Sequence, residues 1–130
     1  MSALPSVGTT LPRIVIDAVT IDTVRAFAAV QRDHNPIHLS QNAARTAGFD
    51  APIVHGAYVY CQFERLVRTF GHGQLTSLYC RFVRPLLVGQ GLQLTGRVVS
   101  LQGEEAVLRL MATATDDTPL AMGEARISRR

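Results

Sequence analysis

Gly56-Ala57-Tyr58-Val59-Tyr60-Cys61-Gln62-Phe63-Glu64-Arg65-Leu66-Val67-Arg68-Thr69-Phe70 has the length of about four helical turns and is closed by Gly71. Ala57, Tyr58, Val59, Tyr60, Cys61, Phe63, Leu66, Val67 and Phe70 leave few polar faces. A helix apolar on most sides is a buried one. Its charges, Glu64, Arg65 and Arg68, gather in the second half. After it come Leu75–Arg84, Leu92–Leu101, Ala106–Thr115 and Leu120–Ser128, each rich in alternating apolar residues. These read as strands, with turns at Pro85–Gly91, Gln102–Glu105 and Asp116–Pro119. Before it, Arg13–Val19 reads as a first strand, and Thr20 caps a helix over Ile21–Gln31. Pro36 forbids a simple continuation of that helix. Ser40 caps and Gly48 stops a short helix over Asn42–Ala47. Residues 1–12 mix Pro, Gly, Ser and Thr and read as a loosely held lead-in. The order is strand, three helices, four strands. Strands do not alternate with helices, so the class is α+β rather than doubly wound. The expected architecture is an antiparallel five-stranded meander wrapped around one long buried helix, with shorter helices before it.

The 130 residues allow one domain with one core. All thirteen basic residues are Arg, against ten acidic residues, for a net charge of +3. Charges are scattered, which argues against a nucleic-acid tail. The missing Lys excludes Schiff-base and P-loop chemistry. Cys61 and Cys80 are too far apart for a short metal motif, and each lies in an apolar stretch. They are expected as buried free thiols, which suits a reducing cytoplasm. Met1–Pro12 lacks the pattern of a secretion signal, and no stretch has the length of a membrane span. Neither nucleic acid nor membrane is an expected partner.

The densest polar chemistry is Asp33-His34-Asn35-Pro36-Ile37-His38. Residues five apart on a regular helix point away from each other, at about 100° per residue. A loop broken by Pro36 can instead bring Asp33 and His38 together. A carboxylate and an imidazole that reach one water form an acid–base pair. Asn35 offers both donor and acceptor groups and can tie the loop in place. The alternative is a plain turn with incidental polar residues. A second element is Ile53-Val54-His55-Gly56. Gly56 would present a backbone N–H at the start of the long helix, where the helix dipole favours a developing oxyanion. The alternative is that Gly56 only permits a sharp entry, with His55 packing or capping.

Taken together, the two elements resemble the MaoC-like, (R)-specific enoyl-CoA hydratase family of the hot-dog fold. The matching residues are Phe27-Ala28, Asp33, Asn35, Pro36, His38, Ala43, Gly48-Phe49, Pro52-Ile53-Val54 and His55-Gly56. Phe82, Pro85, Val88-Gly89 and Leu120–Ala125 add support. The resemblance implies that Asp33 and His38 activate the water that adds to a trans-2-enoyl thioester and manage the proton at the α-carbon. It implies that Gly56 donates to the thioester carbonyl, with Asn35 and His55 in positioning roles. No metal or redox cofactor is implied; coenzyme A arrives as part of the acyl-CoA substrate. A homodimer is expected, with the substrate channel near the subunit boundary.

The chain departs from the family pattern at Ala57-Tyr58, at Glu64 and at Gln90-Gly91. Three other readings stay open: a 3-hydroxyacyl carrier-protein dehydratase, a thioesterase using Glu64, and a non-catalytic subunit. Tyr58 and Tyr60 are candidates for an acyl tunnel or for the core. Arg81 and Arg84 are candidates for the coenzyme phosphates or for solvated strand charges. His34 and His72 are expected as exposed loop residues.

Overall fold

A computed structural model of the chain describes residues 3–129. Its elements are β1 (Ile14–Ile16), α1 (Ile21–Gln31), a 3₁₀ turn (Pro36–His38), α2 (Gln41–Thr46), α3 (Gly56–Phe70), β2 (Gln74–Phe82), β3 (Leu92–Gln102), β4 (Glu105–Ala114) and β5 (Pro119–Ser128). The caps are local chemistry. Thr20 Oγ1 accepts from the Thr23 N–H and Ser40 Oγ from the Ala43 N–H, each satisfying a donor that the helix start leaves free. Gly71 closes α3 at φ 73°, in the left-handed region that glycine enters without strain.

All five strands form one antiparallel sheet in the order β1-β3-β4-β5-β2. This is the hot-dog arrangement, a five-stranded sheet around one long helix. Val59, Phe63, Leu66, Val67 and Phe70 on α3 face Leu94, Val98, Leu108, Leu110, Ala125 and Ile127 of the sheet across one continuous core.

Three expectations need correction. First, the meander covers only β3-β4-β5; β2 crosses to the far side and pairs with β5. The stretch between β2 and β3 is too long for a tight hairpin, and it buries Leu86 on the way. Second, α3 is buried on one face only. Ala57, Tyr60 and Cys61 are exposed and Cys80 is half-buried, so the thiols are free but not both buried. A helix lying on one sheet meets it over only part of its circumference, and within the described chain nothing covers the rest. Third, the lead-in is held where it follows β3. Gly8 N–H donates to the Val98 carbonyl, Leu11 N–H to the Gly96 carbonyl, and Leu11 is buried.

The fold converges on the start of α3. Val54 N–H donates to the Leu86 carbonyl, and Val88 N–H to the Pro52 carbonyl. The segment after β2 thereby clamps the segment that leads into α3. Ile53 N–H donates in turn to the Ile37 carbonyl, which ties in the 3₁₀ turn. Among the described residues, no helix is long and apolar enough to cross a membrane.

Candidate functional site

Asp33 and His38 meet because two turns follow α1 in quick succession. Arg32 ends α1 in the left-handed region, at φ 55° and ψ 36°, and reverses the chain. Asp33 Oδ1 then accepts from the Asn35 N–H at 3.3 Å, and Asn35 Oδ1 accepts from the Ile37 N–H at 3.2 Å. Asn35 therefore caps the 3₁₀ turn that Pro36 begins, which is the tying role expected of it. The result sets His38 Nε2 3.7 Å from Asp33 Oδ2. That is too long for a direct hydrogen bond and suits a gap bridged by one small polar group. His38 Nδ1 lies 2.7 Å from the Ile53 carbonyl oxygen, which can only accept, so Nδ1 carries the proton. In the neutral ring, Nε2 is left with a lone pair facing Asp33. The His38 side chain is nearly buried, while that of Asp33 is 51% exposed.

Arg32 is the residue that the sequence reading missed. A left-handed residue other than glycine bears a steric cost of about 1–2 kcal/mol. Arg32→Gly removes that cost but loosens the unfolded chain, which takes back part of the gain. The expected net effect is a more stable protein by about 0.5–1 kcal/mol, read from the urea midpoint, with the fold unchanged. A lower midpoint would mean that the Arg32 side chain carries a stabilising contact of its own.

Gly56 opens α3, and the first N–H groups of a helix have no partner within it. His55 makes no side-chain cap there. Gly56 also lies under an aromatic ring: a Cβ built on it would sit 3.1 Å from Phe82 Cζ. His38, Ile53, Gly56, Val59, Phe82, Arg84 and Leu120 line a cavity of about 260 Å³ beside the Asp33–His38 gap. A wider hollow of about 610 Å³, lined by Phe49, Asp50, Gln90 and Thr118, shares Arg84, Pro85 and Leu120 with it. Arg84 thus stands where the two meet, whereas Arg81 lines neither.

The other candidates fall elsewhere. Glu64 accepts from Arg68 Nη2 at 2.7 Å, one helical turn away, and lines neither hollow. Tyr58 packs edge-on against Phe27, and burial pushes its phenol above the ordinary tyrosine range, with Arg65 pulling weakly the other way. Tyr60 is exposed, so neither tyrosine lines the cavity at His38. His34 and His72 are exposed, as expected. Gln90, where the family pattern has Asp, closes its own turn by accepting from the Leu87 N–H.

Asp33, His38 and His55 each bring one metal-capable atom within 4.8 Å of the others. The two rings, however, are stacked at 3.8 Å with planes only 20° apart. An ion shared by two imidazoles lies in both ring planes, and stacked planes do not meet near the rings. The arrangement suits proton handling rather than metal ligation.

Comparison with known proteins agrees with this geometry. Residues 4–117 match the MaoC like domain family. The chain is 32% identical over 110 residues to the (R)-specific enoyl-CoA hydratase of Aeromonas caviae, covering 80% of this chain and 70% of that protein. The solved A. caviae (R)-hydratase superposes with a TM-score of 0.86 at 26% identity, over 97% of this chain and 98% of that one. The mitochondrial 3-hydroxyacyl-[acyl-carrier-protein] dehydratase of Arabidopsis thaliana is 33% identical over 52% of this chain. The fatty acid synthase subunit beta of Saccharomyces cerevisiae is 26% identical over 90% of it. This chain spans only 42% of the plant protein and 6% of the yeast subunit. Fold, turn chemistry and similarity lead to one assignment: the chain belongs to the MaoC-like domain family.

Proposed function

We propose that the protein is a hydro-lyase that adds water to trans-2-enoyl-CoA, giving (R)-3-hydroxyacyl-CoA, and catalyses the reverse dehydration. The observation that carries this reading is the 3.7 Å gap between His38 Nε2 and Asp33 Oδ2 beside the uncapped start of α3. Water in that gap loses a proton to the pair as its oxygen bonds to the β-carbon. The displaced π electrons move to the thioester oxygen, where the Gly56 N–H and the α3 dipole stabilise them. The charge then collapses, and a proton from the pair reaches the α-carbon. One proton leaves the water and one arrives at carbon, so the pair ends as it began and no cofactor is consumed. The acyl end occupies the 260 Å³ cavity, and the phosphate-bearing arm runs past Arg84.

A panel of enoyl thioesters tests this. Absorbance of the conjugated thioester falls on hydration, while a thiol reagent detects hydrolysis. Hydration without thiol release is the expected outcome. Thiol release would favour a thioesterase, although Glu64 is already engaged by Arg68. A second carrier remains a specific alternative, because the Arabidopsis relative is named as a carrier-protein dehydratase. Faster turnover on carrier-protein than on coenzyme A thioesters would favour it. Inactivity on the whole panel, relieved by adding a partner subunit, would favour the non-catalytic reading.

We further propose a homodimer. The nine-residue β2 strand is bonded to β5 on one side only, and it exposes Tyr79 and Phe82 with a single charge, Arg81. Long apolar edges without protective charges invite pairing with another strand. A second copy there would also cover surface near Gly56, over which Phe82 lies. Light scattering should give twice the chain mass, and a monomer would overturn this. Free thiols, one of them exposed, suit a reducing compartment such as the cytoplasm.

A further inference from the structure

His55 touches each part of the proposed site, and its role rests on that reading. It is 2% exposed. Its ring stacks on His38, and Phe27 supports it at 5.2 Å. Its Nε2 lies 3.0 Å from the backbone carbonyl oxygen of Asp33, twenty-two residues earlier. A carbonyl only accepts, so Nε2 carries the proton. Its own peptide bond leads into Gly56. Meanwhile Nδ1 is buried without a hydrogen-bond partner among the described residues. A buried polar atom left unpaired costs about 1–3 kcal/mol. An apolar side chain would fill this space without that cost, so packing alone does not account for an imidazole here.

We propose that His55 is the positioning residue that sets the Asp33–His38 gap. The hydrogen bond from His38 Nδ1 to the Ile53 carbonyl leaves its ring free to rock about that contact. The stacked face of His55 removes this freedom and aims Nε2. Asp33, His34 and Asn35 are all exposed. The His55 Nε2–H anchors the backbone of that turn to the buried side. One ring thus holds the acid–base partners from two directions, and a misplacement of about 1 Å at such a site costs about a hundredfold in rate.

The test uses His55→Phe, which keeps a stacking ring but lacks the donor, and His55→Gln, whose amide places N–H groups near the position of Nε2. Turnover of an enoyl thioester by the wild type is established first; its failure would sink the parent reading rather than this one. In His55→Phe, kcat is expected to fall about thirtyfold or more with KM within about threefold. His55→Gln is expected to recover most of kcat. A fall below tenfold in His55→Phe, or a His55→Gln variant as slow as His55→Phe, overturns the proposal. Should His55→Phe not fold, ¹⁵N spectra of histidine-labelled wild type decide it. They are expected to show His55 protonated at Nε2, and protonation at Nδ1 alone overturns the assignment.

Discussion

Asp33→Asn is expected to lower turnover of a trans-2-enoyl thioester by about a thousandfold, within the 10²–10⁴ range of general acid–base catalysis. The fold and the loop should survive. The Asn35 N–H donates to Asp33 Oδ1, and an amide oxygen accepts that bond as well as a carboxylate oxygen does. What is lost is the other oxygen, Oδ2, which faces His38 Nε2 across 3.7 Å. An amide there neither takes a proton from water nor returns one to carbon. The measurement is the initial rate of absorbance loss at saturating thioester, beside a circular-dichroism melt. KM should stay within about threefold of wild type and the melt unchanged, because the substitution touches the reacting water rather than the acyl cavity. Adding His38→Gln should cost little more, since members of one catalytic unit are strongly non-additive. Activity within tenfold of wild type would remove Asp33 from the chemistry.

That prediction draws on a contact that spacing alone did not decide. Residues five apart point away from each other on a helix, and they meet here because Arg32 reverses the chain and Asn35 caps a 3₁₀ turn begun by Pro36. Asn35 and Pro36 were legible as turn formers because their chemistry acts within two residues. Arg32 was not, because nothing in an arginine marks a left-handed residue; its only signal was its place just after a helix. The same division holds across the fold. Thr20, Ser40 and Gly71 act on neighbours three or four residues away, and each performs the cap or stop read from it. The pairing of β2 with β5 joins strands separated by two others, and no local pattern encodes it. The apolar outer face of α3 was legible as composition but not as burial. Tyr60 and Cys61 are exposed because the sheet reaches only the opposite face. His55 shows the limit most directly. Its contacts with Asp33 and His38 cross twenty-two and seventeen residues, and only the folded chain reveals them.

The largest expected effect on stability falls on the helix that carries Gly56. Phe63→Ala should destabilise the protein by about 3–5 kcal/mol. Phe63 is fully buried at the middle of the inner face of α3. It fits there because β5 places a glycine opposite. A Cβ on Gly123 would come within 3.4 Å of the Phe63 ring and 3.2 Å of Leu110 Cβ, so there is no spare room between helix and sheet. Removing the ring leaves a cavity that neither side closes easily. β5 is bonded to β4 on one side and to β2 on the other, and it cannot sag inward without breaking those ladders. Incomplete collapse places the cost toward the upper end of the range. Phe63→Leu fills much of the space and should cost about 1 kcal/mol. Urea midpoints for both variants, at several protein concentrations so that self-association does not disguise the difference, give the measurement. A small domain holds about 5–15 kcal/mol in all, so Phe63→Ala spends a large share of it. Because Val59, Phe63, Leu66, Val67 and Phe70 alone seat α3, loosening Phe63 should also let its first turn shift against the clamp at Val54 and Leu86. Thioester turnover should then decline well below the melting temperature in Phe63→Ala but not in Phe63→Leu. A Phe63→Ala midpoint corresponding to a loss under about 1.5 kcal/mol would show that the sheet does collapse onto the helix, and the packing described for α3 would have to be abandoned.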